Sequence, residues 1–167
     1  IAPYAGIAGG AAEVLVHERE FDIDKVCEDL KRRHEKGRYA SIVVVAEGAQ
    51  PKEGTMVLQS GEVDAFGHVR LGGIGQLLAE AIEERTGFET RVTVLGHIQR
   101  GGTPTAFDRV LATRFGVEAI TAVHDGDLGT MVALRGDDIV RVPLSAAVRE
   151  LKTVDPKLVE VAELFFG

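Results

Sequence analysis

The stretch Gly96-His97-Ile98-Gln99-Arg100-Gly101-Gly102-Thr103 places an imidazole, an amide and a guanidinium within four residues. Gly101-Gly102 lets the backbone approach a ligand closely, and Pro104 suits the first turn of a helix beginning just after. Free amides at a helix N-terminus and the fork of a guanidinium both address phosphate oxygens, so this cluster points to a phosphate-bearing ligand. Each feature alone is weak: a lone Gly-Gly is usually a turn and a lone His is usually structural. A second polar strand end, Glu47-Gly48, follows a Val-rich run. In open parallel sheets, ligands bind beyond the C-terminal ends of the strands.

The elements that must hold these loops follow from periodicity. Ser41 to Ala46 and Arg91 to Leu95 are continuous apolar or β-branched runs, which predict central strands buried on both faces. Glu13 to Val16 predicts a shorter strand. Asp22 is a candidate N-cap for a helix whose stripe is Ile23, Val26, Cys27 and Leu30, ended by Gly37. Ile74, Leu77, Leu78, Ala81 and Ile82 mark another helix, closed by Gly87. Residues 48–72 read as a Gly-rich loop. Phe107, Val110, Leu111 and Phe115 form one side of a helix that continues or restarts through His124. Met131–Leu134 and Ile139–Val142 flank a Gly/Asp turn and predict a β-hairpin. Short helices follow around Ala146–Leu151 and Pro156–Phe165. The fold class is α/β: three layers, a largely parallel sheet with flanking helices, plus the hairpin.

Composition agrees with this class. The chain has 167 residues, 45% hydrophobic, few aromatics and no Trp, so Val, Leu, Ile and Ala fill its core. The net charge is −7 and no Lys/Arg-dense run occurs, which argues against nucleic acid and anionic lipid as partners. Cys27 is the one cysteine, so no intrachain disulfide forms, and its place on an apolar stripe predicts a buried thiol. No apolar stretch is long enough to span a bilayer, and a cytoplasmic location is the expectation. The chain starts at Ile1 within a run of small residues that reads as a helix already under way, which predicts that more protein precedes it.

Arg91-Val92-Thr93-Val94-Leu95-Gly96-His97-Ile98-Gln99-Arg100-Gly101-Gly102, continuing to Asp108-Arg109, resembles the sugar-phosphate motif of the 6-phosphofructokinases. Ile7-Ala8-Gly9-Gly10, Lys36-Gly37-Arg38 and Glu47 at the end of a Val-rich strand agree, in order along the whole chain. The resemblance implies an incomplete phosphofructokinase fold. It implies transfer of a phosphoryl group from ATP or pyrophosphate to the 1-hydroxyl of fructose 6-phosphate, a step of glycolysis. Arg100 and His97 would bind the 6-phosphate, Glu47 would accept hydrogen bonds from sugar hydroxyls, and Arg91 would reach the phosphate of a neighbouring subunit in a homo-oligomer, by family a tetramer. Competing structural roles exist for each. Glu47 could cap a strand end, Arg91 could pair with Glu89 or Asp108, and Asp108 with Arg109 reads better as a structural ion pair than as a ligand contact.

Lys36 and Arg38 match the basic pair of the family's allosteric effector site, although a helix C-terminus favours such residues anyway. Ala12 stands where some bacterial members carry an acidic residue that helps hold the effector's metal, with Glu13 one place later. The family's Gly-Gly-Asp loop, Asp-rich base motif and Met-Gly-Arg motif are absent from this stretch. Mg²⁺ with ATP or pyrophosphate would therefore be bound mainly by an N-terminal half, no catalytic residue or metal ligand is expected here, and the chain alone is expected to be inactive. The C-terminal end is closer to the branch that holds both ATP- and pyrophosphate-dependent enzymes. The resemblance divides the chain into a sugar-phosphate domain (1–98), a segment packing on the donor domain (99–149) and a returning tail (150–167). A non-catalytic phosphosugar-binding or regulatory subunit of the same fold is the alternative.

Overall fold

The computed structural model describes residues 1–56 and 73–166. The chain divides into two compact units, one of residues 1–94 and 153–167 and one of residues 95–152.

The first unit is built on two parallel strands, β1 (Glu13–Leu15) and β2 (Val43–Val45), in register Glu13 with Val43 through Leu15 with Val45. Side chains alternate across a strand, so the two faces of this pair bury different neighbours. Leu15, Val43 and Val45 pack with α2 (Ile23–Glu35) and α3 (Ile74–Thr86). Val14, Val16 and Val44 pack with α1 (Ala2–Gly9) and α6 (Pro156–Glu163). The result is helix, sheet, helix: the three layers expected.

The α2 helix forms as its sequence dictates. Asp22 caps it, its carboxylate accepting from the Asp24 amide at 3.0 Å, and Ile23, Val26, Cys27 and Leu30 are all buried. Ile23 is fully buried. Burial also pushes the Cys27 thiol above its ordinary pKa, against the smaller lowering effect of Arg85 and Lys31. Such a thiol is inert at neutral pH. In the last turn of α2, the His34 ring stacks on Phe88 with centroids 4.7 Å apart. In α3 the predicted stripe is buried except Leu77, which is half-buried, and Gly87 ends the helix at φ 74. The predicted loop 48–72 is described only to residue 56, where Phe21 and Pro51 form an isolated parallel bridge.

One predicted strand is not there. Arg91–Leu95 is irregular, and Val94 is 74% exposed. A buried parallel strand is stabilised by ladder hydrogen bonds to a neighbour, and among the described residues this run has none. Val43–Val45 do form a strand against β1 but are half-buried, since among the described residues β2 has a neighbour on one edge only.

The second unit holds α4 (Ala106–His124), β3 (Thr130–Arg135), β4 (Asp138–Pro143) and the short α5 (Leu144–Ala147). The hairpin pairs Thr130 with Pro143 through Arg135 with Asp138, leaving Gly136-Asp137 as a two-residue turn with Gly136 at φ 61. A positive φ at that position is what a twisted tight hairpin needs, and glycine adopts it without strain. Arg141 ties the hairpin to the helix: it donates to Glu118 at 2.7 Å and meets Asp125 at 2.9 Å and Asp127 at 3.4 Å. The Asp125 carboxylate, and after it Glu118, raise the pKa of its guanidinium. The apolar stripe predicted for α4 is only half used. Leu111 and Phe115 are half-buried, whereas Phe107 is 67% exposed and Val110 is exposed with it.

Candidate sugar-phosphate site

The loop that carries the candidate phosphate ligands is a single 3₁₀ turn, Gly96–Arg100. Gly96 enters it at φ 48 and Gly102 leaves it at φ 109, both outside the range that side-chain-bearing residues adopt without strain. Three residues per turn place positions i and i+3 one above the other, so His97 and Arg100 share one face of this turn. Both are exposed, and neither side chain makes a hydrogen bond or ion pair among the described residues. A guanidinium and an imidazole, on one face of the turn and unpaired, can present donors to a tetrahedral anion.

The start of α4 departs from expectation. Pro104 lies outside the helix, and Thr105 is its N-cap. The Asp108 carboxylate accepts from the Thr105 amide at 2.8 Å and from its hydroxyl at 2.7 Å, while Thr105 Oγ1 accepts from the Asp108 amide at 3.3 Å. This capping box gives the helix N-terminus an anion from its own chain, and the Thr105 hydrogen bonds hold Asp108 below the usual carboxylate range. Asp108 is thus a cap and not the ion-pair partner of Arg109 that the sequence suggested. That leaves the side chains of the 3₁₀ turn, rather than the helix end, as the groups open to an anion.

Glu47 and Arg91 belong to the first unit. Glu47 sits in the turn directly after β2, exposed and without a partner among the described residues. The placement matches the predicted strand end, and no capping hydrogen bond competes for its carboxylate. Arg91 does pair with Glu89, through Nε at 3.1 Å and a terminal nitrogen at 2.8 Å. Both side chains are largely exposed, so solvent screens this pair and a phosphate dianion can displace it at little cost.

Sequence reasoning missed what holds the Glu47 turn. His17, just past β1, donates from Nδ1 to the Gly48 carbonyl at 2.6 Å. A Cβ on Gly48 would lie 2.9 Å from that nitrogen, so the ring and the turn fit only because residue 48 is glycine. The two residues are 31 positions apart, and no local pattern connects them. His17→Ala and Gly48→Ala are each expected to destabilise the first unit by about 0.5–1 kcal/mol, with the double variant no worse than the worse single one. Denaturant unfolding of the three variants checks this.

Lys36 and Arg38 flank Gly37, which sits at φ 82 just past the end of α2. Arg38 lines a cavity of about 330 Å³ together with the buried Arg33, Gly10 and Phe166. Arg33 was not foreseen there, since its place on α2 reads as the polar end of an amphipathic helix. Among the described residues, no group of three or more His, Cys, Asp or Glu is placed to hold a metal ion. No described helix is long and apolar enough to cross a membrane.

The sequence pattern of the family Phosphofructokinase matches residues 1–123. The chain belongs to the phosphofructokinase family. Over all 167 residues it is 64% identical to a pyrophosphate–fructose 6-phosphate 1-phosphotransferase of Amycolatopsis methanolica, covering 49% of that protein. It is 54% identical to an ATP-dependent 6-phosphofructokinase of Mycobacterium bovis, again covering 49%. The solved structure of phosphofructokinase from Saccharomyces cerevisiae superimposes with a TM-score of 0.60 at 32% identity, covering 98% of this chain and 19% of that one. The chain thus spans about half the length of the curated relatives it matches. Phosphofructokinase relatives of both donor types lie this close, as the C-terminal end of the sequence implied.

Proposed function

We propose that this chain is the sugar-phosphate half of a 6-phosphofructokinase, which transfers a phosphoryl group from ATP or pyrophosphate to the 1-hydroxyl of fructose 6-phosphate. The observation that carries the reading is the unpaired His97–Arg100 face on the 3₁₀ turn, within a phosphofructokinase-family chain. Arg100 holds the 6-phosphate through its guanidinium, and His97 adds a second donor. Glu47, held on its turn by His17, accepts hydrogen bonds from sugar hydroxyls, an apt role for an acceptor-only carboxylate. Arg91 serves the site of a neighbouring subunit in a homo-oligomer. Its exposed position and weak tie to Glu89 are compatible with that reach.

Phosphoryl transfer also needs a base for the attacking hydroxyl and a metal-bound donor. The chain spans about half the length of its relatives and lacks the family's Gly-Gly-Asp and Asp-rich motifs, so the donor and the general base are assigned to the part of the protein outside this chain. The residues here bind and orient the acceptor; they do not take its proton. Residues 1–98 and the tail 150–167 form the sugar-phosphate domain, and residues 99–149 pack on the donor domain. The many exposed apolar side chains of that segment, Phe107, Val110, Val117 and Ile120 among them, support this, because such a face needs a cover. Lys36 and Arg38 bind a phosphate-bearing effector; the cavity lined by Arg38 and Arg33 gives it room. The enzyme works in the cytoplasm.

The test is calorimetric titration of fructose 6-phosphate into the full-length protein, with inorganic phosphate and fructose as separate titrants. Binding of the sugar phosphate well above either part is expected. Equal affinity for inorganic phosphate would leave only an anion site, and no binding of any titrant by the folded protein would refute the reading.

A further inference from the structure

A ligand group is only as well placed as the turn that carries it, and the Glu47 turn is laced to the chain leaving β1. The Ala46 amide donates to the Leu15 carbonyl at 2.8 Å, and the Phe21 amide donates to the Gln50 carbonyl at 3.0 Å. Between these two backbone ties, the His17 ring reaches the Gly48 carbonyl at 2.6 Å. Glu47 therefore stands between two tied neighbours, Ala46 and Gly48. The second tie is a side chain, and without it Gly48 has the widest choice of backbone conformations of any residue type. A carbonyl oxygen only accepts, so the contact requires a hydrogen on Nδ1 of His17. The C-terminal tail fixes His17 from both sides. Val16, just before it, is buried with Val159 and Ala162 of α6. Just after it, the Glu18 carboxylate accepts from the Val154 amide at 2.9 Å, and Arg19 pairs with Glu163. All of these residues lie in the first unit.

We infer that His17 is a positioning residue for the acceptor sugar: its Nδ1 hydrogen bond transmits the hold of the C-terminal tail to Glu47. This rests on the proposed role of Glu47 at the sugar hydroxyls. His17 itself touches no substrate; it fixes the turn from which Glu47 presents its carboxylate. The tail thereby supports sugar binding from a part of the chain that carries none of the proposed sugar ligands. Asparagine places an amide N–H near the position of Nδ1 and can make the same bond to Gly48, whereas alanine cannot.

The test is a cycle of variants in the full-length protein, read as the Kd for fructose 6-phosphate by calorimetry. Glu47→Ala should weaken binding at least about tenfold, the loss of a charge-assisted contact. His17→Ala should weaken it about fivefold, as one neutral hydrogen bond does, and His17→Asn should stay within about twofold of wild type. In a Glu47→Ala background, His17→Ala should cost nothing more, because it acts only through that carboxylate. The paired change Glu18→Ala with Arg19→Ala should weaken binding about threefold when His17 is present and not at all once it is alanine. A weakened Glu47→Ala beside an unchanged His17→Ala, or full additivity of the two, would overturn the positioning role and leave Glu47 in the site. An unchanged Glu47→Ala would refute the reading of Glu47 and the inference with it. Equal losses from the paired change in both backgrounds would overturn the link to the tail. Nitrogen NMR of ¹⁵N-labelled histidines gives an answer that needs no ligand and no variant that might misfold: the neutral His17 ring should carry its hydrogen on Nδ1, and a hydrogen on Nε2 would overturn the proposal.

Discussion

Arg100→Ala in the full-length protein should raise the KM for fructose 6-phosphate about 100-fold and leave kcat within several-fold of wild type. The guanidinium offers a phosphate two charge-assisted hydrogen bonds, each contributing roughly 1.5–3 kcal/mol. Each tenfold in affinity corresponds to about 1.4 kcal/mol, so losing most of that contact predicts two decades. The 6-phosphate does not react, so its binding is felt equally in ground and transition states, and the loss falls on KM. Arg100→Lys keeps a point charge but not the planar fork, and about a tenfold rise is expected. Arg100 is exposed and unpaired among the described residues, so its removal should leave stability within about 0.5 kcal/mol. Arg109→Ala, on the adjacent helix, is the control and should change neither constant. Steady-state kinetics with unfolding curves for each variant separate these outcomes. An unchanged KM in Arg100→Ala would remove the residue from the site.

Gly6→Ala should destabilise the first unit by about 1–2 kcal/mol, although helix propensity favours alanine. Gly6 lies inside α1, where glycine costs roughly 0.5–1 kcal/mol relative to alanine. Yet a Cβ there would sit 2.3 Å from Val14 Cγ2, inside the buried cluster that joins α1, β1 and α6. Overpacking of this kind costs about 1–3 kcal/mol, more than the propensity gain. Gly9, in the same helix, has open space around it and a conventional φ. Gly9→Ala should therefore be neutral or stabilising, by up to about 0.5 kcal/mol. Val14→Ala added to Gly6→Ala should cost less than the sum of the single changes, because it frees the space the new methyl needs. Denaturant midpoints across the set give the sign, and a stabilised Gly6→Ala would mean that the helix does not approach the strand this closely.

Much of the fold was legible in the sequence because local and tertiary preferences agree. In α2, cap, apolar stripe and terminal glycine all mark the same boundaries. The hairpin announces itself by Gly136-Asp137 between two short apolar runs. Arg91–Leu95 failed for the opposite reason: its apolar pattern fits a strand, but a strand is defined by its neighbour, which no local pattern contains. The capping box at α4 was readable, since Thr105 and Asp108 stand at the required spacing; Pro104 drew the boundary two residues too early.

The candidate site divides in the same way. His97 and Arg100 were legible as chemistry because they are close in sequence, and the 3₁₀ turn places them on one face. Glu47 was legible only by its place after β2, and the His17 contact that steadies it is a product of the parallel pairing of β1 with β2. Arg91 keeps the structural partner that its sequence neighbour Glu89 offered from the outset.

The most direct test of the central claim is formation of fructose 1,6-bisphosphate from fructose 6-phosphate by the full-length protein with Mg²⁺, assayed separately with ATP and with pyrophosphate. Turnover with at least one donor, and none by residues 1–167 alone, is the predicted result. A folded full-length protein that binds fructose 6-phosphate yet turns it over with neither donor would contradict the account and leave a non-catalytic phosphosugar-binding subunit in its place.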